Sequence, residues 1–149
     1  MNGEPMRHEW TDGCGAIARK PGILIADDMA LILTMLKFEL EFRGFNVWLA
    51  VDGDDALDLY RMHRDEIDLV LLDVQMPGLD GPHTLEALRR LNPDVVACFM
   101  SGSSSLYTEE GLLGRKPAWI FRKPFRPGEV ADLLQRILSS VTDVVAQPV

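Results

Sequence analysis

Five short apolar runs, at 23–26, 46–50, 68–72, 95–100 and 118–121, are separated by longer stretches whose apolar residues recur at helical spacing. Runs this short and this uniformly apolar suit strands buried on both faces. Such strands belong to parallel sheets covered by crossover helices. Repeated βα units with right-handed crossovers close into an open sheet with helices on both sides. The expected class is therefore α/β with three layers.

The intervening helices differ in strength. One is expected over about 30–42, with Ile32, Met35, Leu36 and Glu39 on successive turns and Gly44 ending it. A second, over about 54–63, turns Ala56, Leu59 and Tyr60 inward, and a third, over 82–91, uses Leu85, Leu88 and Leu91 before Asn92 and Pro93 stop it. The last starts at Pro127, and Val130, Leu133, Leu134, Ile137 and Leu138 follow the i, i+3, i+4, i+7, i+8 pattern. Between 104 and 115 the signal is weak, because Gly111 and Gly114 each cost about 1 kcal/mol relative to alanine. A mobile segment is expected there.

With 149 residues and 47% hydrophobic content, the chain can build one ordinary core but not two domains. The expected division is a disordered leader or tag (1–21), one domain (22–140) and a flexible polar tail (141–149). Trp10 in the leader reads as a solvent-exposed side chain. No stretch approaches the roughly 18 apolar residues of a membrane span, and a basic-then-apolar signal is absent, so a cytoplasmic protein without membrane insertion is expected. Cys14 and Cys98 are far apart and outside any metal or redox pattern; Cys98 reads as core. A net charge of −8 without a Lys/Arg cluster argues against direct nucleic-acid binding and for protein partners.

Ligands of open α/β sheets gather beyond the carboxyl ends of the strands. Asp27 and Asp28 follow the first run, Asp73 the third, Ser101 and Gly102 the fourth, and Lys123 the fifth. Each has an ordinary alternative: helix capping for Asp27 and Asp28, a turn for Asp73 or Ser101, a solvated side chain for Lys123. Together they point to chemistry. Three carboxylates in one cleft repel and stay ionised only beside cations. Three negative charges against Mg²⁺ and one ammonium sum to zero. Magnesium takes oxygen ligands and commonly combines one or two carboxylates with phosphate oxygens. Such a site receives a phosphoryl group, and an aspartate there can act as nucleophile. Ser101 and Gly102 would supply a hydroxyl and a backbone N–H to its oxygens.

These residues in their surrounding words, ILIADD at 23–28, LVLLDVQMPGLDG at 69–81, SG at 101–102 and KPF at 123–125, resemble the response-regulator receiver family of two-component signalling. The resemblance spans about 21–140 and implies a flavodoxin-like sheet of order 2-1-3-4-5. It implies that Asp73 accepts phosphate from a sensor histidine kinase or a histidine phosphotransfer protein. Asp28 would ligate Mg²⁺, or Mn²⁺ in its place, directly; Asp27 would act through water and the Gln75 main-chain carbonyl would complete the set. Ser101 would be the switch hydroxyl, Lys123 would pair with the phosphoryl group and Pro124 would shape its loop, while Pro77 and Gly81 would shape the loop after the acceptor. Gln75 and Ser103 would tune the phosphoryl lifetime. Such a chain is a switch acting on a downstream target protein, not an enzyme beyond its own phosphorylation and slow dephosphorylation.

One position departs from the family. Where many members carry tyrosine or phenylalanine, three residues before the lysine, this chain has Ile120, with Trp119 and Phe121 on the opposite strand face. Two other functions compete: a haloacid-dehalogenase-like phosphatase, which would be expected to carry an aspartate where Gln75 stands, and a degenerate receiver that binds partners without phosphate. The surface near Tyr107, Glu109, Glu110, Arg122 and Arg126 is a candidate docking or homodimer face. His8, His63 and His83 read as surface or helix-flank residues.

Overall fold

The computed structural model describes residues 19–103 and 106–146, with side chains to residue 140. Five strands, β1 (Gly22–Ala26), β2 (Asn46–Ala50), β3 (Leu69–Asp73), β4 (Ala97–Ser101) and β5 (Trp119–Arg122), alternate with five helices, α1 (Ala30–Phe42), α2 (Gly53–His63), α3 (Gly81–Leu91), α4 (Glu109–Leu113) and α5 (Pro127–Ala146). All strand pairs are parallel, in the order β2-β1-β3-β4-β5, which leaves β2 and β5 at the edges.

Alternation along the strands divides the core into two layers. Ile23, Ile25, Leu69, Leu71, Cys98, Met100 and Phe121 pack with Leu33, Leu36 and Leu40 of α1 and Val130, Leu134 and Leu138 of α5. Leu24, Ala26, Val70, Leu72 and Phe99 face the other way, onto Ala56, Leu57 and Tyr60 of α2, Leu85 and Leu88 of α3, and Leu112 of α4. Every residue of β1 and β3 is buried, as expected for strands covered on both sides. Burying such a Leu or Ile side chain contributes about 1.5–3 kcal/mol.

Several expected boundaries shift for physical reasons. In α1 the most buried stripe is Leu33, Leu36 and Leu40, while Ile32, Met35 and Glu39 flank it partly exposed. β3 starts at Leu69, not 68, and the Asp68 carboxylate turns to bond the Gly22 N–H (2.8 Å) and the Arg19 guanidinium (2.8 Å). Residues 19–21, placed with the leader, belong to the folded unit: Arg19 holds Asp68 and the Pro21 carbonyl accepts from Asn46 N–H at 2.9 Å. The remainder of the leader, with His8, Trp10 and Cys14, lies outside the described residues. α5 continues to Ala146, six residues beyond the point where the apolar pattern fades. α4 is one short turn-and-a-half, capped by the Thr108 hydroxyl on Gly111 N–H at 3.0 Å and ended by Gly114.

Glycine positions α3 against the sheet. A Cβ on Gly81 would lie 2.4 Å from the carbonyl oxygen of Asp73, and the Gly81 N–H donates to the Val74 carbonyl at 3.0 Å. Gly81→Ala is expected to cost roughly 1–3 kcal/mol, because neither the strand end nor the helix start can move independently. Urea unfolding checks this; an unchanged midpoint would show that α3 slides freely.

Candidate functional site

Asp73 ends β3 and Asp27 directly follows β1, so their carboxylates emerge at the carboxyl edge of the sheet while the adjoining backbone stays in the hydrogen-bonded core. Asp27 N–H donates to the Ala50 carbonyl at 3.1 Å, and Val74 N–H to the Met100 carbonyl at 2.9 Å. Ligand-capable oxygens of Asp27, Asp28 and Asp73 all lie within 4.8 Å of one another. Asp27 is fully buried and Asp73 nearly so, whereas Asp28 is exposed at the rim.

Lys123 reaches this group from the loop after β5. Its Nζ donates to Asp27 Oδ2 at 2.9 Å and to Asp73 Oδ1 at 3.1 Å. The side chains are 0% (Asp27), 7% (Asp73) and 19% (Lys123) exposed, so these pairs are little screened by solvent. The Lys123–Pro124 peptide is cis. Burial disfavours the Lys123 ammonium, but Asp27 and Asp73 outweigh that and raise its pKa above the ordinary lysine value. Burial pushes the Asp73 carboxyl up to about 6; the Asp27 charge adds to the rise and Lys123 opposes it.

Capping does not explain the paired aspartates. The N-cap of α1 is Met29, with no side-chain cap bond, and only Asp27 Oδ1 turns back, accepting Met29 N–H at 2.8 Å. Asp28 faces the pocket rim uncommitted to the helix. Two negative charges are buried against one ammonium, an arrangement that favours a further cation. Oxygen donors of this type fit Mg²⁺.

Ser101 closes β4 beside Asp73, whose strand partner is Met100. Its carbonyl accepts from Lys123 N–H at 2.8 Å, whereas its hydroxyl makes a long 3.5 Å contact to the Gly102 carbonyl and is weakly held. A cleft of about 190 Å³ adjoins it, lined by Ser101, Gly102, Tyr107, Leu112, Ile120 and Arg122 among others. Ile120 packs into the layer of α2 and α3, Phe121 into the opposite layer, and Trp119 is half exposed, so β5 places no aromatic ring on the Ser101 side. Gln75 is exposed in the loop after Asp73.

Sequence reasoning did not single out Asp80. It caps α3 by accepting His83 N–H at 2.9 Å, lies 2.6 Å from His83 Nδ1, and accepts the Tyr107 hydroxyl at 2.6 Å. An acid immediately before Gly81-Pro82 at a helix start was the available signal. Burial works against the Asp80 charge, but the Tyr107 and His83 hydrogen bonds hold its pKa below the usual carboxylate range. Of the candidate docking face, Glu109 and Arg122 pair with each other at 2.6 Å.

Sheet order and pocket together define a doubly wound α/β fold with an acidic cluster at the carboxyl edge of its sheet. The model of the response regulator receiver domain matches residues 23–135, and the chain belongs to that family, whose members are signalling domains of two-component systems and not metabolic enzymes. It is 41% identical over 117 residues to the transcriptional regulatory protein CpxR of Escherichia coli K12, covering 78% of this chain and 48% of that protein. The chain thus spans about half the length of the curated relatives it matches. The receiver domain protein of Clostridium thermocellum superposes with a TM-score of 0.74 at 25% identity, over 83% of this chain and 98% of that one. CheY in the CheX–CheY–BeF3–Mg²⁺ complex of Borrelia burgdorferi gives 0.68 at 28% identity, over 80% and 88%.

Family membership selects the receiver reading over the phosphatase; receiver domains bind Mg²⁺ at an acidic pocket, and Asp27, Asp28 and Asp73 cluster here. The expected lack of contact with nucleic acid finds no support, since CpxR is itself a transcriptional regulator and net charge speaks only to this part of such a protein. Among the described residues no helix is long and apolar enough to cross a membrane.

Proposed function

We propose that Asp73 accepts a phosphoryl group from the phosphohistidine of a sensor histidine kinase or phosphotransfer protein, and that the domain thereby changes a protein-binding surface. The observation that carries this reading is the buried Asp27–Lys123–Asp73 pairing, with Asp28 at the rim and all three carboxylates within 4.8 Å. Asp27, Asp28, Asp73 and the Gln75 carbonyl would hold Mg²⁺, or Mn²⁺ in its place. When bound, the ion offsets negative charge on the carboxylates and on the incoming phosphoryl oxygens.

Asp73 is the nucleophile. A carboxylate oxygen forms the new bond to phosphorus as the P–N bond of the donor imidazole breaks, and the released nitrogen takes a proton. Lys123, already on Asp73, donates to a phosphoryl oxygen, and the weakly held Ser101 hydroxyl and the Gly102 N–H turn toward the others. CheY in the Borrelia complex, crystallised with BeF3 and Mg²⁺, supports the same chemistry for this pocket. A cytoplasmic location and a target reached through the face around α4 and β5, with a homodimer as one such target, fit this role.

Intact-mass analysis after incubation with acetyl phosphate tests the reading. One phosphoryl group is expected on the wild type with Mg²⁺, and none with chelator or in Asp73→Asn. Labelling of Asp73→Asn to the wild-type extent would place the acceptor elsewhere.

A further inference from the structure

α4 is mounted on α3 at both of its ends. Before it, the Tyr107 hydroxyl donates to Asp80 Oδ2 at 2.6 Å. After it, the Arg89 guanidinium donates to the Arg115 carbonyl and, at 2.9 Å, to the Lys116 carbonyl, while Arg115 lies over the Tyr107 ring at 5.4 Å. β5 offers α4 the aliphatic Ile120 and, at the surface, an ion pair between the exposed side chains of Arg122 and Glu109 at 2.6 Å.

Asp80 in turn is fastened to the acceptor. It is the N-cap of α3, the next residue Gly81 donates to the Val74 carbonyl, and the Gly81 Cα leaves no room for a Cβ against the Asp73 carbonyl. A displacement of the loop between Asp73 and Gly81 therefore moves the carboxylate that holds Tyr107. The cleft of about 190 Å³ bounded by Ser101, Ile120 and Tyr107 gives the tyrosine ring somewhere to go when that hydrogen bond opens. A bond that can be made or broken beside such a space is a two-state element, which is what a switch requires.

We propose that the Tyr107–Asp80 hydrogen bond transmits the phosphorylation of Asp73 to α4, so that coupling runs through the N-terminus of α3 instead of through a ring on β5. This rests on the phosphorylation reading above. Tyr107 and Asp80 are positioning residues; neither touches the phosphoryl group.

Hydrogen exchange of the Glu109–Leu113 amides is measured with and without acetyl phosphate and Mg²⁺, alongside intact mass of the same samples. The proteins compared are wild type, Tyr107→Phe, which removes only the hydroxyl, and Asp80→Ser, which retains a helix cap but is too short to reach Tyr107. Phosphorylation is expected to change wild-type exchange about fivefold or more, within the usual range of coupling between sites. Both variants should gain the phosphoryl mass yet show less than about half of that response on a logarithmic scale. A full response in either variant, no response in the wild type, or failure of the variants to gain mass overturns the latch. Absence of mass gain in the wild type overturns the phosphorylation reading and the latch with it.

Discussion

Lys123→Met lowers the stability of the metal-free protein by roughly 2–4 kcal/mol at pH 7. The ammonium is the positive partner of both Asp27 and Asp73, and both carboxylates are shielded from water. Methionine preserves much of the stem's packing while leaving two buried negative charges facing each other. The penalty has a ceiling, because a carboxylate that cannot be tolerated as an anion takes up a proton. The loss is therefore largest at neutral pH and shrinks as pH falls toward 4, where protonation removes the repulsion. Urea unfolding in chelator at pH 7 and pH 4.5 measures both parts, and equal losses at the two values would mean that packing, not charge, is what Lys123 contributes.

Asp73→Asn, which under the proposed function takes up no phosphoryl group, is expected to move stability in the opposite direction. The folded-state pKa of Asp73 is raised from 3.8 to about 6, so the folded protein binds this proton more tightly than the unfolded chain. A group raised in this way favours the folded state below its unfolded value, and that advantage is lost as pH rises through the folded value. At pH 7 the ionised Asp73 thus costs stability, on the order of 1–3 kcal/mol, and asparagine removes the cost. The variant should melt higher than the wild type at pH 7 in chelator, with the two curves converging near pH 4. Added Mg²⁺ should narrow the difference by stabilising the wild type. A variant less stable than the wild type at pH 7 would show that the charge is offset by something other than a metal.

The strands were legible because buried parallel strands leave short apolar runs closed by turn residues, whereas the equally apolar run at 29–33 continues into the helical spacing of α1. Their ends were less so. Asp68 and Ser101 sit at the junction of apolar run and loop, and the hydrogen bonds that decide their membership come from residues distant in sequence. Asp27, Asp28, Asp73 and Lys123 could be picked out because each follows a strand, so knowing the sheet places them along one edge. Tyr107 and Asp80 could not. Their bond joins residues 27 positions apart, and only the tertiary fold brings them together. The face of α1 was offset because Leu33 and Leu40 as well as Ile32 and Met35 are apolar, giving a stripe too wide for periodicity to centre.

β5 closes one side of the sheet, and a free sheet margin is a template on which another chain can add a strand. This one is ill suited to that. It is four residues long, carries an exposed arginine at its end, and runs into Pro124, which has no N–H to offer. The loop that brings Lys123 to the aspartates thus also ends the hydrogen-bonding ladder early, which discourages edge-to-edge pairing at this margin of the sheet.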